Sequence, residues 1–156
     1  MESHIVPVAT GPAWVGYGVR AFDSVIRELI GEARDELVLT VYLLTSREIV
    51  AALERALSRG VAVEVFLDGD TRSKSDIKLI DQLYALRTEY PYLQISEVNS
   101  GILHAKIIIA DGRRVLVGSA NLSPSALLNN YELGILLEDN AVAGKIRDLI
   151  EKLRPQ

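Results

Sequence analysis

The stretch HAKIIIADGRRVLVGSAN, residues 104–121, holds polar side chains at both of its ends. His104 and Lys106 are two residues apart, so in an extended chain they project from the same face. Two apolar runs around an Asp-Gly pair predict a β-hairpin, which would return Ser119 and Asn121 toward the level of His104. An imidazole, an ammonium, a hydroxyl and an amide would thus converge at one end of the hairpin. A phosphodiester matches this set, because Lys106 and Asn121 can donate to its oxygens while His104 acts as nucleophile or acid.

The tip of the predicted hairpin is formed by Asp111 and Gly112, which suit a two-residue turn with positive φ. The tip is at the opposite end of the hairpin from His104. We therefore interpret Asp111 as a turn residue. Ser119 fits two roles equally well, as a donor to phosphate and as a cap for the segment that follows it.

The spacing His-x-Lys-(x)4-Asp-(x)6-Gly-Ser-x-Asn resembles the signature of the phospholipase D superfamily, and residues 104–121 match it without a departure. The resemblance extends over roughly residues 20 to 153, and it includes Glu132, an acidic residue that follows an Asn in NNYELGILLED. It implies cleavage or exchange of phosphodiesters through a phosphohistidine, with a second histidine protonating the leaving group. A phospholipase D-like α/β sandwich is the fold that it implies.

Carried over to this chain, the resemblance assigns a role to each matching residue. His104 would be the nucleophile, with Lys106 and Asn121 holding the phosphate and Ser119 adding a donor. Glu132 would accept a hydrogen bond from the far nitrogen of His104 and stabilise the imidazolium. No metal or other cofactor is implied, and two His with no Cys offer little for a transition-metal site.

Hydrophobic periodicity alternates between helical and extended segments, which predicts an α/β fold with a mixed sheet flanked by helices. Residues 1–156 are expected to form one domain, with 1–19 as a peripheral segment that lacks regular structure. Thr45 and Glu48 predict a capping box at the start of one helix. Ile77, Val142 and Leu149 are predicted to face the core. The predicted helices lie around residues 22–30, 45–58, 76–88 and 141–153, and the predicted strands, besides the hairpin, at 36–44, 61–68, 93–98 and 131–138.

The polar loop 69–76 follows the carboxyl end of a predicted strand. Arg72 and Lys74 are therefore candidates for contacting a substrate if this loop reaches the cleft, and are otherwise solvated charges.

Composition excludes several classes of protein. The chain has no cysteine, which excludes disulfides, iron–sulfur clusters and thiolate chemistry. Its net charge of −4 argues against a broad basic surface, although a local basic cleft is compatible with it. No apolar run approaches the roughly 20 residues that span a bilayer. The first residues lack the pattern of a secretory signal, so we expect a cytoplasmic protein unless a signal has been removed.

The chain holds only one further histidine, His4, and no Lys follows it by two residues. Since the mechanism requires two imidazoles, we expect a homodimer in which two-fold symmetry repeats the motif across one composite site. The short single-motif members that this chain resembles in length are endonucleases, which predicts DNA or RNA as substrate. A phospholipase or phosphatidyltransferase is the first alternative, and the short length, the single motif and the lack of a membrane anchor argue against it. The second is a non-catalytic nucleic-acid-binding dimer, which the intact motif argues against.

Overall fold

A computed structural model describes residues 4–155 as an eight-stranded mixed sheet with helices on both faces. The strands are β1 (His4–Thr10), β2 (Arg20–Ala21), β3 (Glu36–Val41), β4 (Ala62–Asp68), β5 (Leu93–Val98), β6 (Lys106–Ala110), β7 (Arg114–Gly118) and β8 (Glu132–Glu138). The helices are α1 (Phe22–Glu32), α2 (Arg47–Ser58), α3 (Thr71–Lys74), α4 (Ile77–Glu89) and α5 (Asn140–Glu151), with a π-helical turn at Ser125–Asn129. None of the helices in this part of the chain is long and apolar enough to cross a bilayer.

The order of the strands in the sheet is β2-β1-β8-β7-β6-β3-β4-β5. Strands β3, β4 and β5 are parallel, and α2 and α4 connect them in turn. From β3 to β1 the neighbours are antiparallel, and β6, β7 and β8 follow one another in chain order. This mixed sheet confirms the fold class predicted from the sequence.

The sheet separates two hydrophobic clusters of unequal size. The larger one packs α1, α2 and α4 against one face of the sheet, with Phe22 and Ile80 among its fully buried side chains. The smaller cluster lies on the other face, where Ala143 and Ile150 of α5 pack with side chains such as Phe66. Each face of β3 and β4 is therefore covered, which explains why their sequences are almost continuously apolar.

The N-terminal segment differs from the prediction. Residues 4–10 form β1, which pairs along the whole of β8, and Val8 and Ala9 are buried. Pro7 interrupts the pattern of a strand in the sequence. At Pro7, β1 pairs only with β8, because β2 pairs with Val8 and Ala9, and a proline whose nitrogen faces such an open edge removes no ladder bond. Residues 1–3 of the predicted peripheral segment, and residue 156, lie outside the described residues.

The predicted capping box at Thr45 and Glu48 is wrong. Ser46 caps α2 instead, and its Oγ accepts from the backbone N–H of Ile49 at 3.4 Å. The backbone N–H groups of Thr45 and Ser46 both donate to the carbonyl of Leu122, at 3.0 and 3.1 Å. These tertiary hydrogen bonds keep Thr45 and Ser46 outside the helix, so α2 begins at Arg47 and Ser46 is its N-cap.

Three side chains predicted to face the core are exposed: Ile77 in α4, and Val142 and Leu149 in α5. Ile77 is the first residue of its helix, and α4 packs instead through residues beginning at Leu79. Helix α5 covers only the smaller cluster, so one narrow stripe of it is buried.

Candidate active site

The candidate site lies at the edge of the sheet where β6 begins, β7 ends and β8 begins. Because these strands are antiparallel neighbours, their termini lie side by side. His104 precedes β6 by two residues, Lys106 is its first residue, Ser119 follows β7 and Glu132 starts β8. His104 therefore lies just outside the strand that the sequence predicted for it.

The imidazole of His104 is exposed and contacts the ammonium of Lys106. The Nζ atom lies 3.0 Å from Nδ1 and 3.2 Å from Nε2 of His104. The backbone between them is held by Thr40, whose hydroxyl donates to the carbonyl of Ala105 at 2.7 Å and accepts from the N–H of Ile107 at 2.9 Å. This buried hydroxyl fixes both sides of the Lys106 backbone, so the two catalytic candidates have a defined separation.

Lys106 and Asn121 line the same small cavity, below the edge of the sheet. Burial lowers the pKa of the Lys106 ammonium, and the negative charge of Glu132 partly opposes that effect. The Oδ1 atom of Asn121 is buried and receives no hydrogen bond from the described residues. A buried carbonyl oxygen without a donor costs free energy, so this atom is available to a hydrogen-bond donor in the cavity.

The glycine of the motif permits close packing beneath the site. A Cβ atom at Gly118 would lie 2.8 Å from Cζ of Phe22 and 2.7 Å from Cα of Gly134. The two glycines are paired across β7 and β8, and the edge of the Phe22 ring fills the space that their missing side chains leave. Any larger residue at either position would push apart the strands that carry Ser119 and Glu132.

Glu132 is held by neighbouring side chains, and its carboxylate does not make the contact with His104 that the sequence predicted. Ser119 Oγ donates to Oε1 at 2.6 Å, and Asn130 Nδ2 donates to Oε2 at 3.2 Å. The Ser119 hydroxyl also accepts from the backbone N–H of Leu133 at 3.0 Å. Strand β7 lies between β6 and β8, which separates their backbones by about 10 Å. Within one chain, Glu132 therefore acts on the site through its charge and through Ser119.

Lys74 reaches the site from α3. Its Nζ atom lies 3.2 Å from Asp68 Oδ2 and 4.1 Å from the centroid of the Tyr42 ring. The same ring makes an edge contact with His104 at a centroid distance of 4.6 Å, and Lys106 Nζ lies 5.4 Å from its centroid. Two ammonium groups thus flank one aromatic ring beside the imidazole.

Asp68 connects this second cation to the loop that carries His104. The side chain is buried, and its Oδ1 accepts from the backbone N–H of Leu103 at 2.8 Å. Burial alone would raise the pKa of Asp68, but the backbone bonds from Leu103 and Asp70 and the Lys74 ammonium together lower it. Sequence reasoning missed Asp68 and Tyr42. A signal was present in that each is a polar residue at the carboxyl end of an apolar strand pattern.

Arg72 is the other substrate-binding candidate in the loop, and its side chain contacts residues of α4 rather than residues around His104. Its guanidinium pairs with Asp81 at 2.6 Å and lies 5.3 Å from the centroid of the Tyr84 ring. The structure brings Lys74 to the Tyr42 ring that His104 also contacts, and it directs Arg72 toward α4.

Asp111 and Gly112 lie at the other end of the hairpin, with φ of 55° and 63°. Arg113 is a third residue of the turn, because Ala110 pairs with Arg114; the Arg113 N–H donates to the Ala110 carbonyl, and the Arg113 carbonyl accepts from the Asp139 N–H. The Asp111 carboxylate accepts from the backbone N–H groups of residues 34, 35 and 36 at 2.8–3.2 Å. Burial would raise its pKa, and these bonds outweigh burial and lower it. The aspartate thus connects the hairpin tip to the start of β3.

Comparison with known proteins agrees with this geometry. The family model described as the cardiolipin synthase, PLD-like domain matches residues 26–154. The chain belongs to this phospholipase D-like family, within a superfamily whose members are phosphodiesterases, nucleases or lipid-modifying enzymes.

Two curated relatives and one solved structure illustrate the range of the family. The DISARM protein DrmC of Bacillus paralicheniformis is 33% identical over 139 residues, which are 87% of this chain and 58% of DrmC. Cardiolipin synthase A of Pseudomonas aeruginosa is 28% identical over 145 residues, 92% of this chain and 29% of the synthase. The chain thus spans only part of both relatives. The phospholipase D family member Nuc from Salmonella typhimurium has the same fold, with a TM-score of 0.79, 20% identity and coverage of 97% of this chain and 94% of Nuc.

Proposed function

We propose that this protein is a metal-independent endonuclease that cleaves DNA or RNA through a phosphohistidine at His104. The observation that carries the proposal is the cluster of His104, Lys106 and Asn121. An exposed imidazole lies 3.0 Å from an ammonium group, and Asn121 lines the same cavity as this lysine. A phosphate group supplies negative oxygens to which the Lys106 ammonium and the Asn121 amide N–H groups can donate.

The reaction has two displacements. A ring nitrogen of His104 attacks phosphorus, the N–P bond forms, and the P–O bond to the leaving oxygen breaks while a second imidazole protonates that oxygen. Water then attacks phosphorus and gives its proton to the second imidazole, and the N–P bond breaks. Lys106 and Asn121 donate to the non-bridging oxygens, where negative charge accumulates during both displacements.

The second imidazole has to come from outside this chain's own site. His4 pairs with Glu138, at the end of β8 opposite to Glu132. Six residues of extended strand separate the two ends by about 20 Å, so His4 cannot reach a phosphate bound at His104. We infer a homodimer in which two copies of the motif face each other across one composite site.

A lipid-directed activity is the second candidate, because a phospholipid headgroup is also a phosphodiester. The similarity to cardiolipin synthase A favours a phospholipase or phosphatidyltransferase.

Substrate class and metal dependence are tested together. Purified protein is incubated with DNA, with RNA and with phosphatidylcholine or phosphatidylglycerol vesicles, each with excess chelator. We expect cleavage of nucleic acid in the presence of chelator, and none by the His104→Ala or Lys106→Ala variants. Lipid turnover alone would favour the second candidate. Retention of DNA without cleavage would favour a non-catalytic binding module.

The composite site is tested with mixed dimers of differently tagged wild-type and His104→Ala chains. Independent sites would contribute additively and leave about half of the wild-type rate per dimer. A composite site predicts far less than half, because each turnover uses both imidazoles. Half activity, or a fully active monomer, would contradict the shared mechanism.

A further inference from the structure

Two aromatic side chains lie in contact with each other and half in water, at the edge of the sheet that carries the motif. Trp14 is 44% exposed and Tyr131 is 53% exposed. Their ring centroids are 4.9 Å apart and the ring planes meet at 62°, an edge-to-face contact that favours one relative orientation. We call these two rings the aromatic pair.

The backbone around Gly11 holds the aromatic pair in place. Gly11 follows β1 with a φ of 121°, and a Cβ atom at this position would overlap the Tyr131 ring. The backbone N–H groups of Trp14 and Val15 both donate to the Gly11 carbonyl at 3.1 Å. One glycine thus makes room for the first ring and anchors the turn that carries the second. The pair is therefore preorganised, although packing leaves about half of each side chain uncovered.

The aromatic pair borders the candidate active site. Tyr131 directly precedes Glu132, which accepts a hydrogen bond from Ser119 of the motif. Strand β8 is two strands away from β6, so Tyr131 lies about 10 Å from the backbone at Lys106. Lys74 approaches from the other side, where β3 and β4 end. The motif therefore lies between a cationic side and an aromatic side along one edge of the sheet.

The composition of the aromatic side suits an uncharged planar ligand. Residues 11–19, GPAWVGYGV, contain no charged side chain, and Tyr17 in this loop is 83% exposed. Phosphate groups and anionic membrane surfaces are bound through Lys and Arg, which the loop lacks. Nucleobases are the uncharged planar part of a nucleic acid, and they stack on exposed aromatic rings.

We propose that the aromatic pair binds an unpaired nucleobase close to the scissile phosphate and so gives the enzyme a preference for single-stranded nucleic acid. The inference rests on the proposed function, which places that phosphate at His104. A single strand covers about 10 Å in roughly two or three nucleotides, because stacked nucleotides rise about 3.4 Å each and unstacked ones extend further. In a duplex each base is stacked and paired already, so the pair could take it only after the base had left the stack.

The first test uses Trp14 as a probe, because it is the only tryptophan in the chain. Full-length His104→Ala protein, which leaves the substrate uncut, is titrated with oligothymidylate, with oligouridylate, with an abasic oligomer of the same length and with duplex DNA. Stacking of a base on the indole should quench its emission. We expect quenching by at least one of the two single strands, and little change with the abasic oligomer, which carries the same phosphates, or with the duplex.

The second test separates the aromatic ring from its apolar volume. In the His104→Ala background, Trp14→Leu removes the ring and Trp14→Phe keeps one, and circular dichroism establishes that both fold. Fluorescence anisotropy of labelled oligomers should show that Trp14→Leu weakens binding of the single strand about tenfold, and Trp14→Phe less than threefold. Affinity for the abasic oligomer and the duplex should stay unchanged in both variants.

Tyr92 provides a matched control elsewhere on the surface. It is 39% exposed and makes an edge contact with Tyr90, and it precedes β5, at the opposite end of that strand from the candidate site. Tyr92→Leu should leave the affinity for every oligomer unchanged. An equal loss in Tyr92→Leu and Trp14→Leu would show a general effect of exposed aromatic residues and overturn the assignment of the aromatic pair.

The remaining outcomes separate this inference from the proposed function. If single strands bind without quenching and Trp14→Leu binds them as tightly as Trp14, the aromatic pair is not a base site and the nuclease proposal stands. If neither single strands nor duplex bind, the nuclease proposal fails and the base site fails with it. Quenching by phosphatidylcholine vesicles instead of nucleic acid would assign the pair to lipid. Emission that changes only with protein concentration would assign it to contact between copies, and either result overturns the base site.

Discussion

The acidic residue of the motif gives the sharpest test of what holds this fold together. Asp111→Asn removes a charge from the carboxylate that accepts the backbone N–H groups of residues 34–36, while asparagine still tolerates the positive φ of this position. A hydrogen bond to a charged group contributes about 1.5–3 kcal/mol, and partial exposure reduces that value. The amide keeps one acceptor oxygen. We therefore expect Asp111→Asn to lower the free energy of unfolding by about 1–2 kcal/mol.

Asp111→Ala should cost more, about 2–4 kcal/mol, because it leaves the three N–H groups without this acceptor and removes the polar side chain that lets Asp and Asn adopt the left-handed region. Asp148→Asn is the matched control, since Asp148 is an exposed aspartate on α5. Its effect should stay within about 0.5 kcal/mol. Urea unfolding followed by circular dichroism measures all three variants.

The effect of Asp111→Asn should also depend on pH. The pKa of Asp111 is lowered in the folded protein from its ordinary value of 3.8, because the backbone bonds outweigh burial. A lowered folded pKa contributes stability that is complete above the unfolded pKa and is lost as the pH falls through the folded one. The difference between wild type and Asp111→Asn should therefore be largest near neutral pH and shrink in acid. A difference that grows on acidification would refute this account of the turn.

Catalysis should be nearly unaffected by the same substitution. Asp111 is five residues of extended strand from Lys106, a distance of about 17 Å. At a temperature where both proteins are folded, Asp111→Asn should retain the wild-type kcat on bis(p-nitrophenyl) phosphate, a simple phosphodiester. A large loss of kcat with unchanged stability would place Asp111 in the reaction and refute the structural role.

Three further expectations concern the site and the helix that borders it. Glu132→Gln leaves the burial of Lys106 unopposed, so the pKa of Lys106 should fall further and the alkaline limb of the pH–rate profile should move to lower pH; an unmoved limb would contradict the charge coupling. Lys74→Met should raise KM for nucleic acid several-fold, and it should lower the magnitude of the slope of log K against log salt concentration by about one, the value of one phosphate contact. Arg72→Met should change neither quantity, and equal effects of both variants would show only a general loss of charge. Ser46→Ala should lower the free energy of unfolding by about 1 kcal/mol, because α2 loses its N-cap. An unchanged urea midpoint would show that the Ser46 hydroxyl does not stabilise the start of α2.

The local pattern of the sequence determined many of the secondary-structure elements and the family. The hairpin, most of the helices and the central strands follow from the spacing of apolar residues, which reflects the periods of helix and strand and needs no knowledge of distant contacts. The grouping of His104 with Lys106 is local in the same sense, because two residues that are two apart share one face. The family also follows from spacing, since its signature lies within one short segment.

Tertiary structure decided where segments distant in sequence meet. Tyr42, Asp68 and Lys74 surround His104 because parallel strands end at the edge of the sheet where β6 begins, and no periodicity in any one of these segments encodes that meeting. Glu132 bonds to Ser119 rather than to His104 because β7 lies between their strands, and strand order depends on long-range pairing.

The same reason explains the elements that the sequence predicted wrongly. Pro7 is tolerated in β1 because most of that strand is an edge, and Ser46 replaces Thr45 as the cap because the Leu122 carbonyl holds the chain there. Hydrophobicity identified Leu149 as a core residue, but burial depends on which surface another element covers. An apolar pattern determines which residues gain by leaving water. Only the packing of the whole chain decides which of them do so.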